Sequence, residues 1–246
     1  MKGLASVIIG GFQRFSLLDY PGKLSAIVFT QGCNFRCPYC HNPDLVDPLR
    51  YQQTIPEEEI LAFLKQRKGR LGAVTITGGE PTLQKALLPF IRKVKAMDYV
   101  IKLDTNGSKP EVLSELINLG LIDYVAMDLK APMHLYPVVT QVPIDGSLIR
   151  ESMDIIRNSG LDYEYRTTLF DKLLGWSDID QIKSLLHPGD KYYIQQCRYN
   201  DTLIQLGEPD NKQIESVFPH LSDDPVGKDF VRWGKDNKIK IRIRSL

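Results

Sequence analysis

The chain has 246 residues, of which 43% are hydrophobic and 25% are charged, proportions typical of a folded globular protein and not of a disordered or coiled-coil chain. Its 31 Lys and Arg residues almost balance its 30 Asp and Glu residues, so we expect neither a nucleic-acid partner nor a membrane partner. The uncharged stretch at 3–12 is too short to cross a bilayer and lacks the features of a signal peptide. We therefore expect a cytoplasmic protein.

Short β-rich segments alternate with longer amphipathic segments from residue 24 onward, a pattern typical of parallel βαβ units. The predicted strands are 24–30, 73–77, 99–104, 124–130, 163–169 and 191–196. The predicted helices are 57–68, 84–97, 111–119, 148–158 and 178–187. These units predict an α/β fold, either an open sheet or part of a barrel. Both arrangements place a ligand site at the carboxyl ends of the strands.

The end of the chain is less regular than its centre. Glycine and proline residues interrupt 198–236, which predicts loops around short helices. Lysine and arginine then alternate with isoleucine over 238–244, which predicts a strand with a solvated basic face and an isoleucine face toward the core. We expect one domain, 1–246, with a core of about 20–197 and an irregular extension, 198–246, that ends in this strand.

Three of the four cysteines, Cys33, Cys37 and Cys40, lie close together directly after the first predicted strand. Such crowding indicates a metal or redox site and not a set of disulfides. The Cys-x-x-Cys pair could form a thiol–disulfide couple or, with the histidine that follows, a haem attachment site. Zinc could take the three thiolates with His41 as a fourth ligand. Alternatively, the three thiolates could hold a [4Fe-4S] cluster and leave one iron open.

A second motif, Gly78-Gly79-Glu80, closes the second predicted strand. Glycine lets backbone approach a ligand closely, and a glutamate offers a carboxylate to an ammonium group. A pair of glycines is also common in ordinary tight turns. A ligand-binding role is favoured because the motif lies at the end of a predicted strand, as the cysteines do.

Together, the C-x3-C-x2-C spacing with an aromatic residue before its last cysteine and the Gly-Gly-Glu segment resemble the radical S-adenosylmethionine (SAM) enzymes. The resemblance implies a partial (β/α)6 barrel, a [4Fe-4S] cluster and SAM bound at the open iron. It implies reductive cleavage of SAM to methionine and a 5′-deoxyadenosyl radical, with flavodoxin or ferredoxin as the electron donor. The residues that it assigns are Cys33, Cys37 and Cys40 to the cluster and Tyr39, Gly78, Gly79 and Glu80 to SAM.

The ends of the next two predicted strands indicate a subgroup within this family. Segments 103–107 and 127–130 resemble those of glycyl-radical-enzyme activases, including pyruvate formate-lyase activase. The resemblance implies that these segments surround the carboxylate of SAM and a monovalent cation. The residues that it assigns to this role are Asp104, Thr105, Asp128 and Lys130, with Arg166 as a further candidate.

Residues 16–44 resemble the activating proteins of anaerobic ribonucleoside-triphosphate reductases. This implies that the chain generates a glycyl radical on a partner reductase. Asp19 aligns with an aspartate that meets the partner's glycyl loop, although Tyr20 replaces a glycine there and the segment equally fits a simple turn. The alternatives are a pyruvate formate-lyase-type activase, a radical SAM enzyme for a small molecule, such as a 7-carboxy-7-deazaguanine synthase, and a thiol-redox or electron-transfer Fe–S protein.

Overall fold

The computed structural model describes residues 6–170, 172–197, 202–203 and 225–244. Its centre is an eight-stranded sheet whose spatial order follows the order of the chain. The strands are β1 (Ile9–Tyr20), β2 (Lys23–Thr30), β3 (Ala73–Gly78), β4 (Val100–Thr105), β5 (Tyr124–Asp128), β6 (Asp162–Leu169), β7 (Lys191–Gln196) and β8 (Lys240–Arg244). Strands β2 to β8 are parallel, and β1 runs antiparallel to β2.

Helices connect the parallel strands. They are α1 (Pro43–Val46), α2 (Glu57–Arg67), α3 (Leu87–Lys95), α4 (Pro110–Asn118), α5 (Tyr136–Thr140), α6 (Gly146–Arg157), α7 (Trp176–Ile182) and α8 (Pro225–Asp236). Their apolar residues recur at helical spacing, as in α3, which buries Leu87, Phe90, Ile91 and Val94. The alternation of β2 to β7 with helices confirms the predicted α/β fold. No helix in the described part of the chain has both the length and the hydropathy that a bilayer crossing requires.

The sheet curves until the end of β7 meets the loop that follows β2. Within the described residues, β1 and β8 form the two edges of the sheet. The side chains of His41, after β2, and Cys197, after β7, nevertheless lie 3.7 Å apart, between Nε2 and Sγ. The sheet is therefore an open, partial barrel, and the carboxyl ends of its parallel strands converge at one end.

The boundaries differ from the predicted ones at both ends of the sheet. The sheet begins at Ile9 and not near residue 20, because β1, which was not predicted, pairs with β2 through an irregular register. β8 joins the other edge with Ile239 buried and Lys240 exposed, as the alternation predicted. The prediction of short helices was wrong for α8, which begins at a proline and has 12 residues. Positions 198–201 and 204–224 of the predicted extension lie outside the described residues.

Asp190 fixes the start of β7. Its side chain is fully buried, and its carboxylate accepts hydrogen bonds from the Tyr163 hydroxyl at 2.6 Å and the His187 backbone N–H at 2.8 Å. The Arg157 guanidinium also lies 3.2 Å from it. Together, three segments meet on one buried carboxylate.

Replacing Asp190 with alanine should lower the free energy of unfolding by about 3 kcal/mol, because it leaves a largely buried guanidinium and two partly buried hydrogen-bond donors without their acceptor. Urea unfolding monitored by circular dichroism measures the change. Asp162→Ala is the matched control, because this aspartate pairs with Lys191 at 2.7 Å but is 72% exposed, and an exposed pair contributes less than about 1 kcal/mol. Equal losses in the two variants would contradict the prediction.

Candidate functional site

One cavity lies at the convergent carboxyl ends of the strands. It is bordered by the loop that follows β2 and by the ends of β3, β4, β5, β6 and β7. The predicted site residues that line it are Cys33, Cys37, Tyr39, Cys40, Gly78, Gly79, Asp104, Thr105, Asp128, Lys130 and Arg166. The structure thus brings together side chains that lie far apart in the sequence, because parallel strands end at the same edge of a sheet.

The three cysteines occupy a loop that its own polar groups hold in shape. We name residues 32–42 the cysteine loop. The Arg36 guanidinium donates from Nη1 to the backbone carbonyl of Cys33 at 2.7 Å and to that of Phe35 at 2.8 Å. The Arg36 backbone N–H donates to the carbonyl of Thr140 in α5 at 2.8 Å. The loop is therefore held by contacts within it and by its hydrogen bond to α5.

The three thiols lie in buried or partly buried positions at the cavity. Burial raises the pKa of Cys33 to about 12 and that of Cys37 to about 11, and it also raises the pKa of Cys40. Three thiols at one cavity suit a [4Fe-4S] cluster, in which each thiolate binds a different iron.

Gly78 and Gly79 press the end of β3 against the start of the cysteine loop. A Cβ on Gly79 would lie 2.1 Å from the Gly32 carbonyl oxygen. Gly78 has a φ of +114°, and a Cβ there would lie 2.4 Å from the Thr30 nitrogen. Both contacts exclude any larger residue. Backbone hydrogen bonds of 2.8 Å from Gly79 to Thr30 and from Glu80 to Gly32 close the same junction.

Glu80 does not border the cavity. Its side chain is fully buried and accepts hydrogen bonds from the Thr82 backbone N–H at 3.0 Å and the Thr82 hydroxyl at 2.5 Å. The Thr105 hydroxyl, at 2.8 Å, and the Asn106 backbone N–H, at 2.7 Å, also donate to it. Burial raises its pKa, and these hydrogen bonds oppose that rise. The carboxylate thus ties the Gly-Gly-Glu segment to the loop after β4.

A charged network forms another wall of the cavity. Arg166 in β6 bridges two carboxylates, with its Nε 2.9 Å from Asp128 and its Nη1 3.1 Å from Asp104. Lys130 pairs with Asp128 at 2.9 Å, and Lys102 pairs with Asp104 at 2.7 Å. Burial alone would raise the pKa of Asp128, but Arg166 and then Lys130 hold it well below its usual range. Of these charged groups, Arg166, Lys130, Asp104 and Asp128 line the cavity.

The same network includes the carboxylates of the predicted monovalent-cation site. The two carboxylates that the resemblance assigns to it, Asp104 and Asp128, are already bridged by a guanidinium. The cation itself stays a prediction.

Tyr39 has a buried hydroxyl beside the cavity. Its ring packs on Phe170 with the ring centroids 5.5 Å apart, and its side chain is buried at the cavity wall. Within the described residues its hydroxyl has no hydrogen-bond partner. A buried donor without a partner costs free energy, so this atom fits a site that a polar ligand completes. The donor set therefore fits both a cluster and a charged cofactor.

Asp19 lies away from the cavity. The neighbouring Tyr20 pairs with Lys23, at the amino end of β2, whereas the cysteine loop follows the carboxyl end of that strand. The Asp19 carboxylate accepts a hydrogen bond from Ser16 Oγ, in keeping with an ordinary turn. Its contact with a partner stays a prediction.

The cavity also contains polar residues that sequence reasoning missed. They are Asn42, Asn106, Thr168 and Gln195. The sequence feature that could have identified three of them is their place at the end of a strand. Asn106 follows β4, and Thr168 and Gln195 lie near the ends of β6 and β7. Polar residue types are common at such positions, so sequence alone gave no reason to single these out.

Residues 27–185 match the family model of the Radical SAM superfamily. The chain is 37% identical over 222 residues, 85% of this chain and 90% of the relative, to a provisionally named glycyl-radical enzyme activating enzyme of Methanocaldococcus jannaschii. It is 45% identical over 89 residues, 34% of each chain, to a pyruvate formate-lyase-activating enzyme of Staphylococcus aureus. The structure of Streptococcus suis SuiB bound to S-adenosylmethionine has a TM-score of 0.61 at 13% identity, covering 89% of this chain and 51% of SuiB.

The chain belongs to the radical SAM superfamily, whose enzymes use a [4Fe-4S] cluster and SAM. Its similarity to the archaeal protein over most of both chains makes it a radical SAM enzyme of the glycyl-radical enzyme activating type. The match to the superfamily model and the parallel sheet confirm the predicted fold of the radical SAM type, and SuiB has a similar fold. Family membership sets aside the thiol-redox and electron-transfer alternative.

Replacing Gly79 with alanine should abolish most iron binding, because the added Cβ would displace the start of the cysteine loop. Iron content per chain after anaerobic reconstitution is the measurement. Gly72→Ala is the matched control, since its nearest neighbours would lie 3.9 and 4.0 Å from the new Cβ. Full iron content in Gly79→Ala would show that the junction tolerates a side chain.

Proposed function

We propose that this enzyme activates an anaerobic ribonucleotide reductase by generating a glycyl radical on it. The observation that carries the proposal is the meeting, at one cavity, of three cysteine thiols and a network of paired charges. The choice of the reductase rests on the resemblance of residues 16–44 to the activating proteins of such enzymes.

We assign the cysteine loop to the cluster. Cys33, Cys37 and Cys40 would ligate three irons, and the fourth iron would stay open to SAM. The loop needs no rearrangement of its anchors for this, because Arg36 and the β3 junction already hold it.

We assign the charged network to the methionine end of SAM. Lys130 and Arg166 would attract its carboxylate, with Asp104 and Asp128 fixing the two cations and Thr105 lining the same cavity. The ammonium group would meet the backbone at Gly78 and Gly79, because the Glu80 carboxylate is already occupied by four hydrogen bonds. The Tyr39 hydroxyl is the remaining buried donor for the cofactor.

The cluster, when bound, would supply one electron that cleaves SAM to methionine and a 5′-deoxyadenosyl radical, and this radical would take a hydrogen atom from the partner's glycine. The electron would come from a low-potential donor such as flavodoxin or ferredoxin. The chain's own part is to hold the reactants and to exclude water with Phe35, Tyr39 and Val46, which line the cavity.

A second candidate partner is a pyruvate formate-lyase. The 45% identity of 89 residues to the Staphylococcus aureus activating enzyme favours it. That match covers only 34% of each chain, so we rank it below the reductase.

The test is to incubate the reconstituted enzyme anaerobically with SAM, dithionite and either the reductase or pyruvate formate-lyase. We expect an electron paramagnetic resonance (EPR) signal of a glycyl radical, together with 5′-deoxyadenosine, in the reductase sample. Cys33→Ala should give neither product. Cys197→Ala, which changes a cysteine outside the proposed cluster ligands, should keep both.

The outcomes separate the parts of the proposal. A radical on pyruvate formate-lyase alone would move the assignment to that partner. Cleavage of SAM with no radical on either protein would contradict both partners and leave a small-molecule substrate. Absence of SAM cleavage in a chain with full iron content would contradict the activity itself.

Replacing Lys130 with methionine should weaken SAM binding about tenfold, or about 1.4 kcal/mol, because its side chain is 18% exposed at the cavity and shares Asp128 with Arg166. Isothermal titration of the reconstituted protein gives the dissociation constant. Lys109→Met is the control, because this lysine is 42% exposed and pairs with Glu111 at 3.6 Å. An unchanged dissociation constant in Lys130→Met would exclude a binding role for the ammonium.

A further inference from the structure

The carboxamide of Asn106 joins the loop after β4 to the cysteine loop. Its Oδ1 accepts a hydrogen bond from the Ser108 backbone N–H at 2.9 Å, which fixes the orientation of the amide. Its Nδ2 therefore faces the cysteine loop, where it donates to Asn34 Oδ1 at 2.9 Å. The same nitrogen lies 3.9 Å from the Sγ of Cys33, within the range of an N–H···S hydrogen bond. An amide nitrogen has two protons, so it serves both acceptors.

Two further contacts hold Asn106 in this position. Its backbone N–H donates to Glu80 Oε2 at 2.7 Å, and the neighbouring Thr105 hydroxyl donates to Glu80 Oε1 at 2.8 Å. Asn34 returns a hydrogen bond from its Nδ2 to the Ser108 hydroxyl at 2.9 Å. Asn106 is 5% exposed, so little water competes for these groups. Glu80, which does not line the cavity, is therefore linked to the cysteine loop through Asn106.

We infer that Asn106 is a positioning residue that directs an N–H at the sulfur of Cys33 and thereby makes the proposed cluster easier to reduce. The inference rests on the proposed function, since it requires that Cys33 ligate a cluster. Hydrogen bonds to ligand sulfurs tune the potentials of Fe–S clusters. Reduction adds negative charge to the cluster, and an N–H dipole aimed at a ligand sulfur stabilises that charge. Removing the dipole makes the added electron less favourable.

Cys33 receives one hydrogen bond from a side chain, that of Asn106, in addition to one from the backbone. Cys33 also accepts a hydrogen bond from the Phe35 backbone N–H at 3.4 Å, which any residue at position 35 other than proline would supply. The Asn106 contact depends on a side chain. Asn106 can therefore be substituted without replacing any residue of the cysteine loop.

The test is a redox titration, followed by EPR, of the full-length chain reconstituted with iron and sulfide in the absence of SAM. The variants are Asn106→Leu, which replaces the amide with an apolar group of similar size, and Asn106→Asp, which keeps Oδ1 for Ser108 but removes the N–H. At a fixed applied potential, we expect the ratio of reduced to oxidised cluster to fall about tenfold in Asn106→Leu, equivalent to about 59 mV for one electron. Asn106→Asp should shift it at least as far, because it adds negative charge beside the sulfur.

Controls separate this role from general damage. Asn118→Leu makes the same substitution at an exposed asparagine of α4 and should leave the titration unchanged. Glu80→Gln should shift the potential in the same direction as Asn106→Leu but by less. It weakens the hydrogen bonds that hold the loop after β4 and leaves the Asn106 carboxamide in place.

Three results decide the matter. Unchanged potentials in both Asn106 variants at full iron content would overturn the inference. If Asn106→Leu binds no iron, the titration of Asn106→Asp decides in its place, and loss of iron from both variants would overturn a role in tuning and assign Asn106 to assembly of the loop. A parent chain that binds no cluster would instead contradict the proposed function.

Discussion

The buried carboxylate of Glu80 is the constraint on which the rest of the site depends. A carboxylate inside a protein is costly unless donors satisfy it, and the donors here come from the turn after β3 and from the loop after β4. These segments must therefore approach each other. Asn106 extends the same network to Asn34, so the cysteine loop is positioned by a charge that it does not touch. The tight junction at Gly79 adds a second, steric link between β3 and that loop.

Charge shapes the opposite wall of the cavity. Arg166 spans Asp104 and Asp128, which lie at the ends of neighbouring strands, and Lys102 and Lys130 flank the pair. Paired charges of this kind cost desolvation energy and are a weak source of stability. They present the Lys130 ammonium and the Arg166 guanidinium at a partly dry cavity, where a cation interacts more strongly with an anion than it does in water.

The sequence predicted the parallel strands and the cavity residues well, because both follow from short-range patterns. Strands β2 to β7 are compact β-rich runs, and residues that follow such strands must share one edge. The cysteines and Asp128 were located in this way. β1 was missed because it has two glycines and exposed Leu17 and Leu18, so its pairing with β2, and not its own pattern, makes it a strand.

Other features needed three-dimensional information. The motif identified Glu80 but not the direction of its side chain, which depends on donors at Thr82, Thr105 and Asn106. Asp19 is only a few residues from β2, yet the antiparallel pairing of β1 places it at the opposite end of that strand from the cysteine loop. The network of Arg166 joins the adjacent strands β4, β5 and β6, and the register that sets Arg166 beside Asp128 is not encoded in a local pattern.

The separation of the two buried carboxylates, Glu80 and Asp190, gives the molecule two regions that respond differently to the cofactors. The cysteine loop, the end of β3 and the loop after β4 share hydrogen bonds, so they open together, and a group bound in the cavity opposes that opening by mass action. The network of Asp190 lies at the amino end of β7, away from this unit. Loss of the cluster would thus loosen one end of the barrel while the other keeps its shape, and the enzyme could be loaded again without having to refold.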